Sequence, residues 1–309
     1  TGLATNLPVT IIDAPSGTPA VGGVVQAADL VKLVASTDGT TGAITLSGAA
    51  SISGTFDDIK TIVVTKSTQF TGEHADDVTI TDSITAAQAK EITEYVEDPT
   101  GTNVAYGAHV TATISDTEMS KFDTLTEVDD HVLTINIKDA SVDGVKLAAL
   151  NTKTKGVITV DSTTVTGLIA GIEDIYDTDK TGLAGLGNEA INVTGNVTVA
   201  QANALSGYST GKATASLAKA ALSTFDGLIT STDAYSMEIN DTSVSASALA
   251  ALDAKTSGTV TATDVATVTG FLSDVKSIYD SNTAGGITGL GNEAVILSDS
   301  GSVTAADLY

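Results

Sequence analysis

Two loops of the sequence carry residue types that could bind a metal ion. The segments IYDTDKTGLAGLGNEA and IYDSNTAGGITGLGNEA repeat one pattern in two parts of the chain. Their carboxylate and amide oxygens are the hard ligands that Ca²⁺ requires, and loops add backbone carbonyls. Neither the spacing of an EF-hand nor the nonapeptide of calcium-loaded β-rolls is present. The predicted Ca²⁺ ligands are Asp177, Asp179, Asn188 and Glu189 in the first loop and Asp280, Asn282, Asn292 and Glu293 in the second.

A purely structural interpretation of the same loops stays open beside the calcium hypothesis. In it, Asp177 and Asp280 end a helix, the glycines turn the loop, and Glu189 or Glu293 is solvated. Glycine suits such turns because it adopts left-handed backbone conformations without steric cost.

Threonines on the predicted strands could form a second kind of site. In a parallel array they would stack into a ladder of hydroxyl and methyl groups, suited to ice, polysaccharide or lateral assembly. The alternative is that Thr simply has high β-propensity at exposed strand positions. Asn192 and Glu238 would interrupt the ladder. Its predicted members are Thr10, Thr45, Thr79, Thr134, Thr159 and Thr261.

Motifs of enzyme catalysis are missing from the sequence. The histidines are His74, His109 and His131, and no HExxH, GxSxG, P-loop or CxxC motif occurs. We therefore predict a protein without catalytic activity. A less favoured alternative is a polysaccharide-active β-helix enzyme with paired carboxylates in a groove, but the acids of this chain are spread along its loops.

Composition restricts the class of protein. Hydrophobic residues make up 42% of the 309 residues, which is enough for a buried core, yet aromatic residues contribute only 4%. The net charge of −24 with 14 basic residues excludes a nucleic-acid partner, since phosphate binding needs clustered Lys and Arg. The absence of cysteine excludes disulfides and thiolate metal sites. No apolar run is long enough to predict membrane insertion.

An internal repeat organises the whole chain. The segment that begins at Leu150 matches one that begins at Leu252, which is 252 − 150 = 102 residues later. Gly185 and Gly289 are 289 − 185 = 104 residues apart. We predict super-repeats over residues 1–92 (divergent), 93–205 and 206–309, together one continuous solenoid cut from a longer array.

A smaller unit recurs within each super-repeat: a β-branched run, a turn and a helix rich in small residues. Alternating apolar and polar residues predict half-buried strands. The fold class we predict is an α/β repeat solenoid, with short parallel strands alternating with short helices and roughly 22–36 residues per coil. The predicted strands begin at Val9, Ile44, Val78, Val110, Leu133, Val157, Ile191, Ala213, Met237, Thr259 and Val295.

Helix signals follow several of these runs. In TVTGLIAGIEDIYD the apolar residues repeat at helical spacing, and Thr166 is the predicted N-cap. Thr85 and Gln88 predict a capping box. The segments SVSASALAAL, NVTVAQANAL and SVTAADL predict further helix starts, each too short to be stable without a sheet.

The motifs LDAKTSGTVTATDVATVTG, DIYD, TGLGNEAV and SVTAADL resemble repeats in very long surface or secreted proteins of cyanobacteria. Those proteins are of the haemolysin-type calcium-binding or adhesin-like kind. The resemblance covers Leu133 to Tyr309 and, more loosely, the first hundred residues. It implies an extracellular structural or adhesive role, with Ca²⁺ as a cofactor.

From these patterns we predict an extracellular, cell-surface structural protein that forms a filament, sheath, surface layer or adhesin stalk. Its partner would be itself, by head-to-tail or lateral self-assembly, with polysaccharide as a further partner. The alternative is a binding module whose Thr-lined face docks polysaccharide or ice. An uncapped solenoid end exposes strand edges that pair readily, so self-association is the expected behaviour.

Overall fold

The fold is α/β and is built from short parallel strands. The computed structural model describes residues 9–12, 23–36, 44–47, 49–65, 69–71, 77–96, 109–125, 130–178 and 180–301. In these ranges twenty strands alternate with eight α-helices, and every strand pair is parallel. Parallel neighbours require crossover connections, which the helices and turns between them provide.

Most of the chain repeats a module of first strand, second strand and helix. Modules 1 to 3 contain β1 (Val9–Ile12), β2 (Gly23–Gln26), α1 (Ala27–Ser36), β3 (Ile44–Ser47), β4 (Ala49–Gly54), α2 (Phe56–Lys60), β5 (Phe70–Thr71), β6 (Asp77–Ile84) and α3 (Ala86–Val96). Module 4 has one strand, β7 (Val110–Ile114), and a 3-10 helix (Met119–Thr124).

The pattern then returns with three further two-strand modules. Modules 5 to 7 contain β8 (Val132–Ile137), β9 (Ser141–Asp143), α4 (Gly144–Asn151), β10 (Ile158–Val160), β11 (Thr164–Leu168), α5 (Ile169–Glu173), β12 (Leu183–Ala184), β13 (Ala190–Val197) and α6 (Val199–Tyr208). Module 8 again has one strand, β14 (Ala213–Leu217), and a 3-10 helix (Leu222–Phe225). Modules 9 to 11 contain β15 (Ala234–Glu238), β16 (Ser243–Ser245), α7 (Ala246–Asp253), β17 (Val260–Thr261), β18 (Thr267–Gly270), α8 (Leu272–Ala284), β19 (Ile287–Thr288) and β20 (Ala294–Leu297).

The chain forms two compact units, and the first comprises residues 1–139, 146–161 and 179–185. It contains a three-stranded sheet of order β1-β3-β5 and a seven-stranded sheet of order β12-β10-β8-β7-β6-β4-β2. Along the larger sheet, the second strands of modules 1 to 3 are followed by β7 and then by the first strands of modules 5 to 7. The spatial order of strands therefore follows their order in the sequence.

The second unit comprises residues 140–145, 162–178 and 186–309. Its seven-stranded sheet has the order β19-β17-β15-β14-β13-β11-β9, and its smaller sheet the order β16-β18-β20. The arrangement of three second strands, one single strand and three first strands is the same as in the first unit. β15 begins 234 − 132 = 102 residues after β8, and β20 begins 294 − 190 = 104 residues after β13, matching the predicted super-repeat spacing.

Side chains of small and medium size fill the core. Along β7, Val110, Ala112 and Ile114 are buried while the two threonines between them are exposed. The period of two places the apolar side chains on one face of the sheet. In α3, Ala86, Ala89, Ile92 and Val96 are buried at helical spacing. The 3-10 helices of the single-strand modules supply large buried rings, Phe122 and Phe225.

The strand predictions are confirmed for all eleven runs. Successive modules begin between 234 − 213 = 21 and 110 − 70 = 40 residues apart, a slightly wider range than the predicted length of one coil. The capping box is confirmed, since the Thr85 backbone N–H donates to Gln88 Oε1 at 2.8 Å and the Gln88 N–H donates to Thr85 Oγ1 at 3.2 Å. The segment SVTAADL lies outside the described residues.

The predicted N-cap at Thr166 is wrong. Thr166 lies inside β11, where it pairs with Asp143 and Asn192, and α5 begins only at Ile169 with Leu168 as its N-cap. The apolar spacing that resembles a helix arises because a short strand and a helix follow each other directly. Pairing with strands on both sides outweighed the local helical signal.

Candidate functional site

In the first repeated loop, backbone N–H groups donate hydrogen bonds to the carboxylate of Glu189, a residue of the same loop. The Glu189 side chain is only 3% exposed. It accepts hydrogen bonds from the backbone N–H groups of Gly187 and Asn188 at 2.9 Å and from the Tyr176 hydroxyl. Removing a carboxylate from water is costly unless hydrogen bonds compensate. Glu189 therefore binds the loop to the helical turn that carries Tyr176.

The second loop repeats this arrangement at Glu293. Both of its carboxylate oxygens accept from the Gly291 N–H, at 2.9 and 2.8 Å, and one accepts from the Tyr279 hydroxyl at 2.7 Å. Burial raises the pKa of Glu293, but hydrogen bonds from Gly291 and Tyr279 outweigh it and hold the pKa below its ordinary value. Burial, together with the bond to Glu293, raises the pKa of Tyr279 to about 12.

Glycine is required two residues before each of these glutamates. The φ angles of Gly187 and Gly291 are 125° and 149°, in the region that L side chains rarely adopt. This conformation lets the glycine N–H donate to the carboxylate two residues later. The repeated G-N-E sequence therefore encodes a turn and the carboxylate that closes it. We call each glutamate with its tyrosine and glycine a Tyr–Glu clip.

Asp177 also forms a bond to tyrosine. It accepts a hydrogen bond from the Tyr208 hydroxyl of α6. The Tyr208 ring stacks on Tyr176, with ring centroids 5.1 Å apart and an interplanar angle of 3°. Burial, followed by the bond to Asp177, raises the pKa of Tyr208. Asp177 and Glu189 therefore both contact this tyrosine pair.

The other predicted Ca²⁺ ligands lie in different environments. Asn188 Oδ1 accepts from the Thr210 hydroxyl at 3.1 Å. Asn282 exchanges two hydrogen bonds with the backbone of Leu290, at 3.4 and 3.3 Å. Asp280 and Asn292 are exposed. Asp179 lies outside the described residues.

Parts of the structural interpretation of the loops need correction. Glu189 is buried instead of solvated, because its carboxylate closes the loop. Asp280 does not end a helix, since α8 continues to Ala284. Asp177 does lie at a helix end, in a π-helical turn that ends at Thr178. Across the described part of the chain, no three His, Asp or Glu residues are grouped so that they could hold a metal ion, and calcium binding stays a prediction.

The predicted threonine ladder is divided among three sheets. Thr10 pairs with Thr45, which pairs with Thr71 in β5. Thr261 lies between Glu238 and Thr288, and the Thr288 hydroxyl donates to Thr261 Oγ1 at 3.4 Å. Each of these is a short row of neighbouring residues on adjacent strands.

The remaining three threonines share one sheet but lie in different rows. Strand register places them in the rows Ser53–Thr79–Thr111, Ser83–Thr113–Thr134 and Asn136–Thr159–Ala184. Register breaks in β6 between Thr79 and Ser83, which separates the first two rows. The structure therefore contains several short Ser/Thr rows where the sequence suggested one ladder.

Five aspartates cap a helix of the preceding module, a role that the sequence analysis missed. In each case the carboxylate accepts from the first backbone N–H of an α- or 3-10 helix, which has no partner within the helix. The distances are 2.6 to 2.8 Å and the partners lie 19 to 30 residues apart. The pairs are Phe56–Asp82, Ala86–Asp116, Met119–Asp139, Leu222–Asp241 and Leu272–Asp299.

A pattern in the sequence could have revealed these caps. Asp116, Asp139, Asp241 and Asp299 each follow a strand within three residues. An acid that recurs at the same place in successive repeats indicates a shared contact. Carboxylates are favourable at helix N-termini, where the helix dipole is positive.

Hydroxyl groups join successive modules at a second place, before the first strands. Thr154 Oγ1 accepts from the backbone N–H of Leu133 in the preceding module at 2.8 Å, and Thr256 does the same for Tyr235 at 2.8 Å. Each is followed two residues later by a glycine, Gly156 or Gly258, packed against that module. The recurring T-x-G motif is the signal that identifies these corners.

Histidines take part in similar contacts. Buried His131 accepts at Nδ1 from the backbone N–H of Val110 at 2.9 Å. His109 lies 3.1 Å from the Asp77 carboxylate on the surface, and His74 lies outside the described residues. These contacts connect neighbouring strands, and the absence of catalysis stays a prediction.

In the described ranges no helix has both the length and the apolar character needed to cross a lipid bilayer. The Tyr–Glu clips, the aspartate caps and the T-x-G corners are the polar constellations that recur along the chain. Comparison of the chain with protein-family models, with curated proteins and with solved structures found no match.

Proposed function

We propose that this chain is a non-catalytic structural repeat protein of the cell exterior, serving in a filament, sheath, surface layer or adhesin stalk. In this proposal the modules are successive coils of one α/β solenoid. The observation that carries it is the strictly sequential, parallel order of strands in all four sheets. When each repeat contacts only its neighbours, length is gained by adding repeats.

The contacts between modules support a load-bearing role. A carboxylate of one module caps a helix of the module before it, as at Leu222–Asp241. A threonine of one module satisfies a strand N–H of the module before it, as at Tyr235–Thr256. Polar side chains are thereby used to join neighbours instead of converging on one point.

Composition and repetition support the location outside the cell. The chain carries 38 acidic residues and no cysteine, so its stability comes from stacking and not from disulfides. The motifs DIYD and TGLGNEAV resemble repeats of long cyanobacterial surface proteins of the adhesin-like or haemolysin-type calcium-binding kind, and that resemblance implies the same location. In this proposal Ca²⁺ would bind in the loops that contain Asp177 and Asp280.

Electron microscopy of native material, with and without a calcium chelator, tests the structural role. We expect fibres or sheets, identified with an antibody against the chain, that survive chelation because the clips at Glu189 and Glu293 need no metal. If the fibres fall apart on chelation, that result would indicate that the loops bind a metal ion that the assembly needs. Dispersed single molecules under both conditions would contradict the structural role.

The Ser/Thr rows favour a second candidate, a binding module for polysaccharide or ice. Thr113 and Thr134 are exposed neighbours in register on adjacent strands, and Thr10, Thr45 and Thr71 form another row. This candidate predicts glycan retention or thermal hysteresis that is lost in Thr134→Tyr and kept in Thr230→Tyr, a control at an exposed loop position. Retention that is equal in both variants would remove the candidate.

A further inference from the structure

Two tyrosine rings of the second unit are stacked in parallel across a module boundary. Tyr176 belongs to the π-helical turn that follows α5, and Tyr208 is the last residue of α6 in the next module. The ring centroids are 5.1 Å apart and the ring planes differ by 3°, a stacked arrangement that aromatic pairs favour. Tyr176 is buried and Tyr208 is half-buried. The fold therefore holds two phenol rings in contact.

Each hydroxyl of this pair donates a hydrogen bond to a different carboxylate. Tyr176 donates to Glu189, and Tyr208 donates to Asp177. A carboxylate that already accepts a hydrogen bond is positioned to take the proton as a general base. When a phenol loses an electron, its O–H group becomes strongly acidic, and the proton moves along the existing hydrogen bond. Both rings are therefore arranged for oxidation to neutral phenoxyl radicals.

The first unit contains one of these tyrosines at the equivalent position but not the other. Its helices α2 and α3 begin 169 − 56 = 113 and 199 − 86 = 113 residues before α5 and α6. At this offset Tyr95 of α3 corresponds to Tyr208, since 208 − 95 = 113. Buried Val63 corresponds to Tyr176, since 176 − 63 = 113. Of these two equivalent sites only the one in the second unit has both rings, and Tyr95 is a matched single tyrosine.

We propose that Tyr176 and Tyr208 form a modification site at which oxidation joins the two rings as dityrosine. The oxidant is hydrogen peroxide acting through a peroxidase. Two one-electron oxidations produce two phenoxyl radicals, and the phenolic protons pass to Glu189 and Asp177. A carbon–carbon bond then forms between ring carbons ortho to the oxygens, the two ortho hydrogens leave as protons, and the oxygens are protonated again. In sum the two phenols lose two hydrogen atoms, and the peroxide is reduced to two molecules of water.

The stack favours coupling within one chain. The half-buried Tyr208 ring is open to an oxidant, and the buried Tyr176 ring is in contact with it. Two groups held in contact react far faster than two that must meet by diffusion, and the net charge of −24 opposes encounters between chains. The new bond joins the π-helical turn of one module to α6 of the next. It goes beyond the structural role proposed above and does not depend on that role, since it follows from the contacts of four side chains.

Oxidation of the full chain by a peroxidase with hydrogen peroxide, in dilute solution at neutral pH, tests the site. We expect dityrosine fluorescence in a product that stays monomeric on a denaturing gel. Lys180 separates the two tyrosines into different tryptic peptides, so the mass spectrum should show these peptides joined and lighter by two hydrogens. Tyr208→Phe should reduce the fluorescence to background, and Tyr95→Phe should leave it unchanged. Circular dichroism checks that both variants fold, and Tyr176→Phe replaces Tyr208→Phe if that variant does not.

A further variant tests the carboxylate as proton acceptor. Asp177→Asn keeps an oxygen that accepts from Tyr208 but is a far weaker base, so coupling should become slower while near-ultraviolet circular dichroism shows the ring stack retained. An unchanged rate would overturn the transfer of the proton to the carboxylate. An absence of the joined peptides in wild type, equal fluorescence in Tyr208→Phe, or covalent dimers in place of the internal bond would overturn the site itself. Fibres in native material together with any of these results would leave the structural role standing.

Discussion

The Tyr279 hydroxyl donates a 2.7 Å hydrogen bond to the Glu293 carboxylate, and the same pair exists one super-repeat earlier as Tyr176 and Glu189. Each pair connects a helical segment to the loop before the next second strand. Acid protonates the glutamate of a clip, and alkali deprotonates its tyrosine. Each change should weaken the hydrogen bond between the two side chains.

Acid should remove the contribution of Glu293 to stability. Its folded-state pKa is lowered, so the stabilisation is present above the ordinary value of 4.5 and is lost as pH falls through the lower folded-state pKa. We expect wild type to unfold at a higher temperature than Glu293→Gln at neutral pH and the difference to vanish in strong acid. Exposed Glu118, whose side chain caps nothing, provides the control Glu118→Gln. A difference that persists in strong acid would contradict the clip.

Alkali should act through Tyr279. Its folded-state pKa is raised from 10.0 to about 12, so the stabilisation is complete below pH 10 and is lost as pH rises towards 12. Tyr279→Phe should therefore unfold at a lower temperature than wild type at neutral pH, and the gap should narrow in alkali. Absorbance titration of tyrosinate should show one late-titrating tyrosine fewer in the variant. An unchanged titration curve would refute the assignment.

Removing an inter-module cap should destabilise the chain without changing its fold. Asp241 accepts from the Leu222 N–H at 2.6 Å, and Asp241→Ala leaves that donor without its acceptor. We expect a loss of about 1 kcal/mol in the free energy of unfolding, measured by urea denaturation. Asp241→Asn, which keeps an acceptor oxygen, should lose less. The exposed Asp226 gives the control Asp226→Ala, and equal losses at both positions would reject the cap.

The T-x-G corners should not tolerate a side chain at glycine. A Cβ at Gly258 would lie 2.4 Å from the Tyr235 carbonyl oxygen, whereas one at Gly207 in α6 meets nothing within 4 Å. Gly258→Ala should cost about 1–3 kcal/mol through overpacking. Gly207→Ala should raise stability by about 0.5–1 kcal/mol because alanine favours the helix. Thermal unfolding of both variants checks the pair, and equal effects would rule out close packing at the corner.

The calcium hypothesis, which stays a prediction, shows what residue types alone leave open. Asp177, Asn188 and Glu189 have the oxygen atoms that Ca²⁺ prefers, and their spacing in a glycine-rich loop is compatible with a site. In the folded chain Glu189 accepts hydrogen bonds from Gly187, Asn188 and Tyr176. The same oxygen can bind a metal or accept from an N–H, and only the backbone conformation of the loop decides which partner it meets.

Local patterns by themselves determined the repeat, the eleven main strands and the capping box of Thr85 and Gln88. These features follow from residues close together in the chain, whose alternation or spacing acts through neighbouring backbone groups. Tertiary structure alone decided the short second strands such as β16, the division of the threonines into separate rows, and caps such as Leu222–Asp241. Those depend on register between strands and on partners 19 to 30 residues apart, which take shape only when one module stacks on the next.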